Sequence, residues 1–103
     1  MNFNINKNDI IHFVGIGGIG MSGIALIMKS LGYTVQGTDV NKSKNTERLK
    51  KNKIKIYFSH KEKNINKVKI LVVSSAIKKN NRELIAAKKN KILILKRAEM
   101  LAH

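Results

Sequence analysis

Three glycines at a fixed spacing form the stretch of this sequence best suited to chemistry. Gly15, Gly17 and Gly20 follow the apolar run at 10–14 and precede an apolar segment with helical periodicity. A strand that turns on glycine into a helix leaves the first N–H groups of that helix without acceptors, and the helix dipole adds partial positive charge there. In the G-x-G-x-x-G spacing of dinucleotide-binding loops, the first glycine makes the turn, the second admits a pyrophosphate, and the third lets helix pack on strand. We therefore expect the amides of residues 17–20 to bind a diphosphate.

An acidic residue stands where such a loop requires one. Asp39 ends the next predicted strand about 20 residues after Gly20, where a carboxylate is expected to accept a hydrogen bond from a ribose hydroxyl. Two alternatives stay open. The glycines could serve only the turn and its packing, and Asp39 could be a helix cap or a solvated acid.

Two further polar segments follow predicted strands. Ser74 and its neighbours follow the apolar run at 70–73, and His60 follows an alternating segment. Because the carboxyl ends of parallel strands share one edge of a sheet, both segments are expected beside the glycine loop. Plain loop serines and a surface imidazole are the alternatives. The candidate binding residues are Gly15, Gly17, Gly18, Ile19, Gly20, Asp39, His60, Ser74, Ser75 and Ala76.

We expect no catalytic residues and no metal site in this chain. Its six acidic residues are scattered and suggest no acid–base pair, and it has no cysteine. The three histidines, at positions 12, 60 and 103, lack the spacing of metal ligands. His12, inside the first strand, is interpreted as a packed histidine. Arg97 could approach a phosphate or be an ordinary surface residue.

The apolar pattern predicts strands alternating with helices. Strands are expected at 10–14, 34–39, 54–58, 70–73 and 92–95, and helices at 19–31, 47–51 and 82–90, with another beginning at 96. Such alternation is typical of an α/β domain, here a Rossmann-like parallel sheet of about five strands flanked by helices. Right-handed crossovers favour the strand order 3-2-1-4-5.

The same pattern predicts helix faces and caps. In the first helix, the inward residues are expected to be Ile24, Ile27, Met28 and Leu31. In the third helix they are expected to be Leu84, Ile85 and Ala87. Thr46 and Asn81 are expected to cap the helices that follow them. Gly37 is expected to mark a close approach of the backbone to a ligand.

Length and composition indicate one globular domain. The chain has 103 residues and is 43% hydrophobic, and no apolar run is long enough to span a membrane. The start of the chain does not resemble a signal peptide, so we expect a cytoplasmic protein. The net charge of +15 comes mostly from lysine, with only three arginines and five Phe and Tyr residues in total. Nucleic-acid interfaces favour arginine and aromatic residues, so we expect no nucleic-acid partner.

The chain resembles the N-terminal domain of the UDP-N-acetylmuramate–L-alanine ligases of the Mur ligase family. The segments that carry the resemblance are 12–25 (HFVGIGGIGMSGIA), 32–33 (GY), 37–39 (GTD), 57–60 (YFSH), 72–77 (VVSSAI) and 97–102 (RAEMLA). They run through nearly the whole chain in unbroken order. The related peptide-recycling ligases share the domain, but their glycine loop typically lacks the pattern of residues 17–20.

The resemblance implies a single domain, 1–103, that binds UDP-N-acetylmuramate as the N-terminal part of a three-domain ligase. It implies that Asp39 contacts ribose or uracil and that His60 lies near the uridine. The full-length ligase would use ATP and Mg²⁺ in its central and C-terminal domains. This chain has no glycine after Gly37 and hence no G-x-x-x-x-G-K-[ST] loop, so we expect it to be inactive alone, with no cofactor of its own.

Two other functions use the same residues differently. An NAD(P)-binding regulatory module would hold an adenosine ribose with the glycine loop and Asp39. A basic interaction domain would bind nucleic acid through the lysines.

Overall fold

Five parallel strands form the sheet at the centre of the computed structural model, which describes residues 5–101. They are β1 (Ile10–Val14), β2 (Thr34–Thr38), β3 (Lys55–Tyr57), β4 (Val68–Val73) and β5 (Leu93–Lys96). Their order is β3-β2-β1-β4-β5. The expected fold class and strand order are confirmed. The neighbours of β1 are β2 and β4, so the order reverses between β1 and β4, where such sheets bind ligands.

Helices connect the strands and cover both faces of the sheet. They are α1 (Ile19–Ser30), α2 (Lys44–Lys51), a 3₁₀ helix (Glu62–Ile65), α3 (Arg82–Lys89) and α4 (Arg97–Leu101). The last predicted helix extended to residue 103, and residues 102 and 103 lie outside the described part. No helix among the described residues has the length and apolar character needed to cross a membrane.

Two apolar cores lie on opposite faces of the sheet because alternate strand residues point to opposite sides. Ile11 and Phe13 of β1 belong to the core that also contains Ile24 of α1 and Met100 of α4. Val14 belongs to the other core, which includes residues of β4 and α3. Both faces of β1 are therefore buried, as expected for a central parallel strand.

The inward face of α1 differs from the prediction. Ile24 is buried, but Ile27 and Leu31 are 51% and 57% exposed. The buried residues are Met21, Ser22, Ile24 and Ala25, because the helix lies on the sheet by its first two turns. Met28 packs against the core as predicted, whereas the apolar spacing misplaced Ile27 and Leu31.

The inward face of α3 also differs, because a charged residue occupies it. Ile85 is 51% exposed, so the prediction that it points inward was wrong. Glu83 is fully buried instead, one position before Leu84 and three before Ala86. A prediction based on apolar residues alone does not place a glutamate on the buried face. Glu83 and Ala86 are nevertheless three residues apart, a spacing that puts both on one side of the helix.

Caps fix the beginnings of α2 and α3. Asn81 Oδ1 accepts hydrogen bonds from the N–H groups of Glu83 and Leu84, which confirms its predicted role. For α2 the cap is Ser43 and not Thr46. Ser43 and Thr46 exchange hydrogen bonds in a capping box, so Thr46 lies in the first turn.

Three lysines have left-handed backbone conformations, each just before or at the entry to a strand. Lys53, Lys67 and Lys91 have φ of 64°, 67° and 56°, and they precede β3, β4 and β5. Each follows an asparagine in the sequence. A side chain makes this conformation unfavourable, and glycine adopts it without that cost.

Candidate functional site

The glycine loop, residues 15–18, is tied to the end of β2. Gly15 has φ of 74°, a conformation that favours glycine. The N–H groups of Gly15 and Ile16 both donate to the carbonyl of Thr38, at 2.7 and 3.0 Å. Ile16 also packs against Gly37: a Cβ at Gly37 would lie 2.6 Å from Ile16 Cβ. The close approach expected at Gly37 is therefore made by this side chain of the protein.

The carboxylate of Asp39 is hydrogen-bonded to the glycine loop. Its Oδ2 accepts the N–H of Gly17 at 2.8 Å, and its Oδ1 accepts the N–H of Asn41 at 3.0 Å. A Cβ at Gly17 would lie 2.7 Å from Asp39 Oδ2 and 2.9 Å from Thr46 Cγ2. The close approach of Asp39 and Thr46 thus leaves room only for glycine at position 17. The glycine spacing alone had suggested that a pyrophosphate makes this close approach.

The N-terminus of α1 presents three backbone N–H groups without a protein acceptor. Gly18 donates to the carbonyl of Gly15, whereas Ile19, Gly20 and Met21 have no acceptor among residues 5–101. The first turn of α1 contains no acidic residue, and no side chain caps it. Of the amides at 17–20 expected to bind a diphosphate, those of Ile19 and Gly20 remain available, and Met21 adds a third.

Arg97, the first residue of α4, lies directly against Gly20. A Cβ at Gly20 would overlap the guanidinium of Arg97. The third glycine of the motif therefore makes room for an arginine from the far end of the chain, and not for the strand that was expected there. A guanidinium beside the positive end of a helix dipole makes this region favourable for an anion.

A cleft of about 390 Å³ opens where β1 and β4 end, and we call it the β1/β4 cleft. Its apolar wall includes Val14, Val40 and Ile77, and Gly15 connects it to the glycine loop. Its lining residues are Val14, Gly15, Val40, His60, Ser74, Ile77, Lys78, Asn80 and Asn81. The structure thus brings three candidate residues, Gly15, His60 and Ser74, into one concave surface.

A smaller groove of about 260 Å³ lies beside this cleft. Ser74, Ser75, Lys96, Arg97 and Ala98 line it. Ser74 therefore lies between the β1/β4 cleft and the groove that contains Arg97. Ala76 is exposed after β4 and lines neither cavity.

Sequence reasoning missed a buried polar cluster behind His60. Glu83 Oε1 accepts a hydrogen bond from His60 Nδ1 at 2.8 Å, and Glu83 Oε2 accepts from Thr38 Oγ1 and from Asn64 Nδ2. His12 Nε2 lies 3.3 Å from Glu83 Oε2. Two residues could have indicated this cluster in the sequence. His12 is a polar residue within an otherwise apolar strand, and Glu83 lies in a helix on the side of the sheet that His12 faces.

The donors of this cluster keep Glu83 ionised. Burial alone raises the pKa of Glu83, but the hydrogen bonds from His12, Thr38 and Asn64 lower it from 4.5 to about 2. The side-chain amide of Gln36 donates to His12 Nδ1, so the ring proton of His12 lies on Nε2, facing Thr38.

The rest of the described chain adds no metal centre. Within residues 5–101, no group of three or more His, Asp or Glu side chains is placed to hold a metal ion. The candidate ligand-binding features at this edge of the sheet are the amides of α1, Arg97 and the β1/β4 cleft, and Gly15 and Ser74 lie between them.

Comparison with known proteins gives a consistent match. The model of the Mur ligase family, catalytic domain, matches residues 10–103. A UDP-N-acetylmuramate–L-alanine ligase of Pelagibacter ubique is 63% identical over 103 residues, which are all of this chain and 22% of that protein. The chain thus spans about a fifth of the length of the curated relatives it matches.

Solved structures agree with the sequence matches. The UDP-N-acetylmuramate–alanine ligase of Thermotoga maritima superposes with a TM-score of 0.84 and 34% identity, covering 88% of this chain and 21% of that one. A UDP-N-acetylmuramate:L-alanyl-γ-D-glutamyl-meso-diaminopimelate ligase of Neisseria meningitides superposes with a TM-score of 0.85. It is 23% identical and covers 92% of this chain and 30% of that one, so it shows the fold alone.

Proposed function

Because this chain belongs to the Mur ligase family, we propose that it binds UDP-N-acetylmuramate for the ATP-dependent ligation of L-alanine in the synthesis of peptidoglycan precursors. UDP-N-acetylmuramate is the substrate for which the 63% identical ligase of Pelagibacter ubique is named. The observation that carries it is the anion-favouring region formed by the first amides of α1 and the guanidinium of Arg97.

The diphosphate binds at the N-terminus of α1 in this proposal. The amides of Ile19, Gly20 and Met21 donate to its oxygens, and Arg97 adds a charge-assisted contact. Each favourable interaction of an anion with a helix N-terminus is worth about 0.3–1 kcal/mol, and up to about 2 kcal/mol where it is partly buried. Ser75 lines the same groove as Arg97 and is a further donor.

The uridine occupies the β1/β4 cleft. A nucleobase is flat and apolar on its faces and polar at its edge, and the cleft combines Val14, Val40 and Ile77 with polar groups such as His60 and Ser74. Gly15 belongs to both the cleft and the glycine loop, so a uridine there would continue directly into a diphosphate at α1. Asp39 retains lone pairs for a ribose hydroxyl while it holds the loop.

ATP, Mg²⁺ and L-alanine bind to other domains of the full-length ligase, and the reaction takes place in the cytoplasm. The chain alone therefore binds the UDP substrate without turning it over. We expect no release of phosphate from ATP when the chain is mixed with UDP-N-acetylmuramate, L-alanine and Mg²⁺. Phosphate release above the rate without protein would contradict the proposal that ATP binds only to other domains of the ligase.

Calorimetric titration tests the proposal. The chain is titrated separately with UDP-N-acetylmuramate, NADH and a short DNA duplex, and we expect binding heat only with the UDP-sugar. Binding of NADH alone would favour a nicotinamide-binding module, and duplex binding that weakens steeply with salt would favour a nucleic-acid partner.

Arg97→Met provides the matched variant, because it keeps an unbranched side chain against Gly20 and removes the charge. We expect affinity for the UDP-sugar to fall roughly tenfold, the loss of one charge-assisted contact. Arg82→Met is the control, since Arg82 is an exposed arginine of α3 that lines a separate cavity with Lys61 and Glu62. Equal affinities of the two variants would remove Arg97 from the site.

A further inference from the structure

The contact between Glu83 and His60 determines which nitrogen of the His60 ring carries a proton. An ionised carboxylate can only accept hydrogen bonds, so His60 Nδ1, at 2.8 Å from Glu83 Oε1, must be the protonated nitrogen. In the neutral ring, Nε2 is then an acceptor. Within residues 5–101, His60 Nε2 has no hydrogen-bond partner, and His60 lines the β1/β4 cleft.

The second oxygen of Glu83 holds the carboxylate in place. Glu83 Oε2 accepts from Thr38 Oγ1 and from Asn64 Nδ2, the latter at 2.9 Å. Thr38 and Glu83 are fully buried and Asn64 is 4% exposed. Rotation of the carboxylate would leave these buried donors unpaired, which costs more than a typical hydrogen bond contributes. Glu83 therefore presents a fixed acceptor to His60.

An acceptor beside an apolar wall distinguishes the pyrimidine bases. The N3–H group of uracil is a donor and pairs with a neutral His60 Nε2. The N3 atom of cytosine is itself an acceptor, so two lone pairs would face each other in the same position. A site that leaves a polar group unpaired discriminates strongly against the wrong ligand.

We propose that Glu83 is a positioning residue that fixes the proton of His60 on Nδ1, so that His60 Nε2 accepts the imide N–H of a uracil base in the β1/β4 cleft. The inference rests on the proposed function, because it assigns the base specificity of the same site. His60 contacts the base, and Glu83 acts only through His60.

Glu83→Gln should invert the proton arrangement of His60. The oxygen of the glutamine side chain stays with the donors Thr38 and Asn64, which leaves its NH₂ group facing His60 Nδ1. That NH₂ group donates to Nδ1, so the ring proton moves to Nε2. Nitrogen-15 NMR of the histidine rings reads the protonated nitrogen directly, and a change in stability alone would not alter it.

The binding test compares UDP with CDP at about pH 8. For the unmodified chain we expect UDP to bind roughly tenfold more tightly than CDP, with His60 protonated on Nδ1. For Glu83→Gln we expect the preference to shrink to about twofold or less, with the proton on Nε2. In a His60→Ala background, adding Glu83→Gln should leave the ratio of UDP to CDP affinities unchanged.

Three results would overturn the inference. They are a His60 ring protonated on Nε2 in the unmodified chain, equal binding of UDP and CDP by that chain, and a further change in the affinity ratio when Glu83→Gln is added to His60→Ala. Equal binding of the two nucleotides leaves the proposed function standing. Binding of neither nucleotide contradicts the proposed function and, with it, this inference.

Discussion

Glu83 couples the stability of the fold to pH. Its pKa in the folded chain, about 2, lies below its ordinary value of 4.5, so ionised Glu83 stabilises the folded state above about pH 4.5. That contribution is lost as the pH falls towards 2. A shift of this size corresponds to about 3 kcal/mol of unfolding free energy. We expect urea unfolding to show this loss between pH 5 and 2 and Glu83→Gln to show a smaller one.

Glu62→Gln is the matched control for that measurement. Glu62 is exposed at the start of the 3₁₀ helix, on the same chain and of the same residue type. Its substitution should leave the pH dependence of the unfolding free energy as it is in the unmodified chain. If Glu62→Gln and Glu83→Gln reduce the loss of unfolding free energy at low pH equally, the buried cluster is not the source of that loss.

Two glycines of the same region should respond oppositely to alanine. At Gly17 a Cβ meets Asp39 Oδ2 at 2.7 Å, whereas at Gly23, within α1, it meets nothing within 4 Å. We expect Gly17→Ala to lower the unfolding free energy by about 1–3 kcal/mol, and Gly23→Ala to raise it by about 0.5–1 kcal/mol through helix propensity. Chemical denaturation measures both, and a neutral Gly17→Ala would contradict the close packing of Asp39.

At the scale of single elements, α1 offers two isoleucines of contrasting burial. Ile24 is 5% exposed and Ile27 is 51% exposed. We expect Ile24→Ala to cost about 2–4 kcal/mol through lost burial and the cavity left behind, and Ile27→Ala to cost less than about 1 kcal/mol. Equal losses of unfolding free energy would indicate that Ile27 faces the core as Ile24 does, as the sequence pattern predicted.

The elements were predictable where periodicity alone determines them. The short apolar runs at 10–14 and 70–73 are typical of strands buried on both faces of a sheet, and their alternation with helices implied the strand order. The inward faces of α1 and α3 were not predictable in full. Ile27 and Ile85 are apolar but exposed, and Glu83 is charged but buried, because tertiary hydrogen bonds satisfy it.

The candidate site was predictable in position but not in its contacts. The glycine spacing located the loop, and the strand ends located His60 and Ser74. Spacing cannot tell whether a glycine accommodates a ligand or a neighbouring side chain, and at Gly17 and Gly20 the neighbours are Asp39 and Arg97. Those contacts join residues distant in sequence and depend on the assembled sheet.

At the scale of the whole molecule, three residues other than glycine adopt the unfavourable left-handed backbone conformation. Lys53, Lys67 and Lys91 each have a left-handed conformation at the entry to a strand. Replacing each by glycine should raise the unfolding free energy by about 0.5–1 kcal/mol, because relief of the steric cost exceeds the added flexibility of the unfolded chain. The three sites belong to different connections, so the effects should add, and denaturation of the triple variant tests this.

The contrasting control is Lys79→Gly, at an exposed position without positive φ. Glycine there should leave stability unchanged or lower it, since it only loosens the unfolded chain. Stabilisation at all four positions would point to reduced net charge as the cause, and the left-handed conformations would then carry no special cost.

The contact of Arg97 with Gly20 has a consequence for biosynthesis. The surroundings of Gly20, in the first turn of α1, are complete only when a residue more than seventy positions later has reached it. A ribosome therefore releases the glycine-rich turn long before its arginine emerges from the exit tunnel. A nascent chain that ends before Arg97 lacks this guanidinium, so the proposed anion-binding surface is completed late in translation.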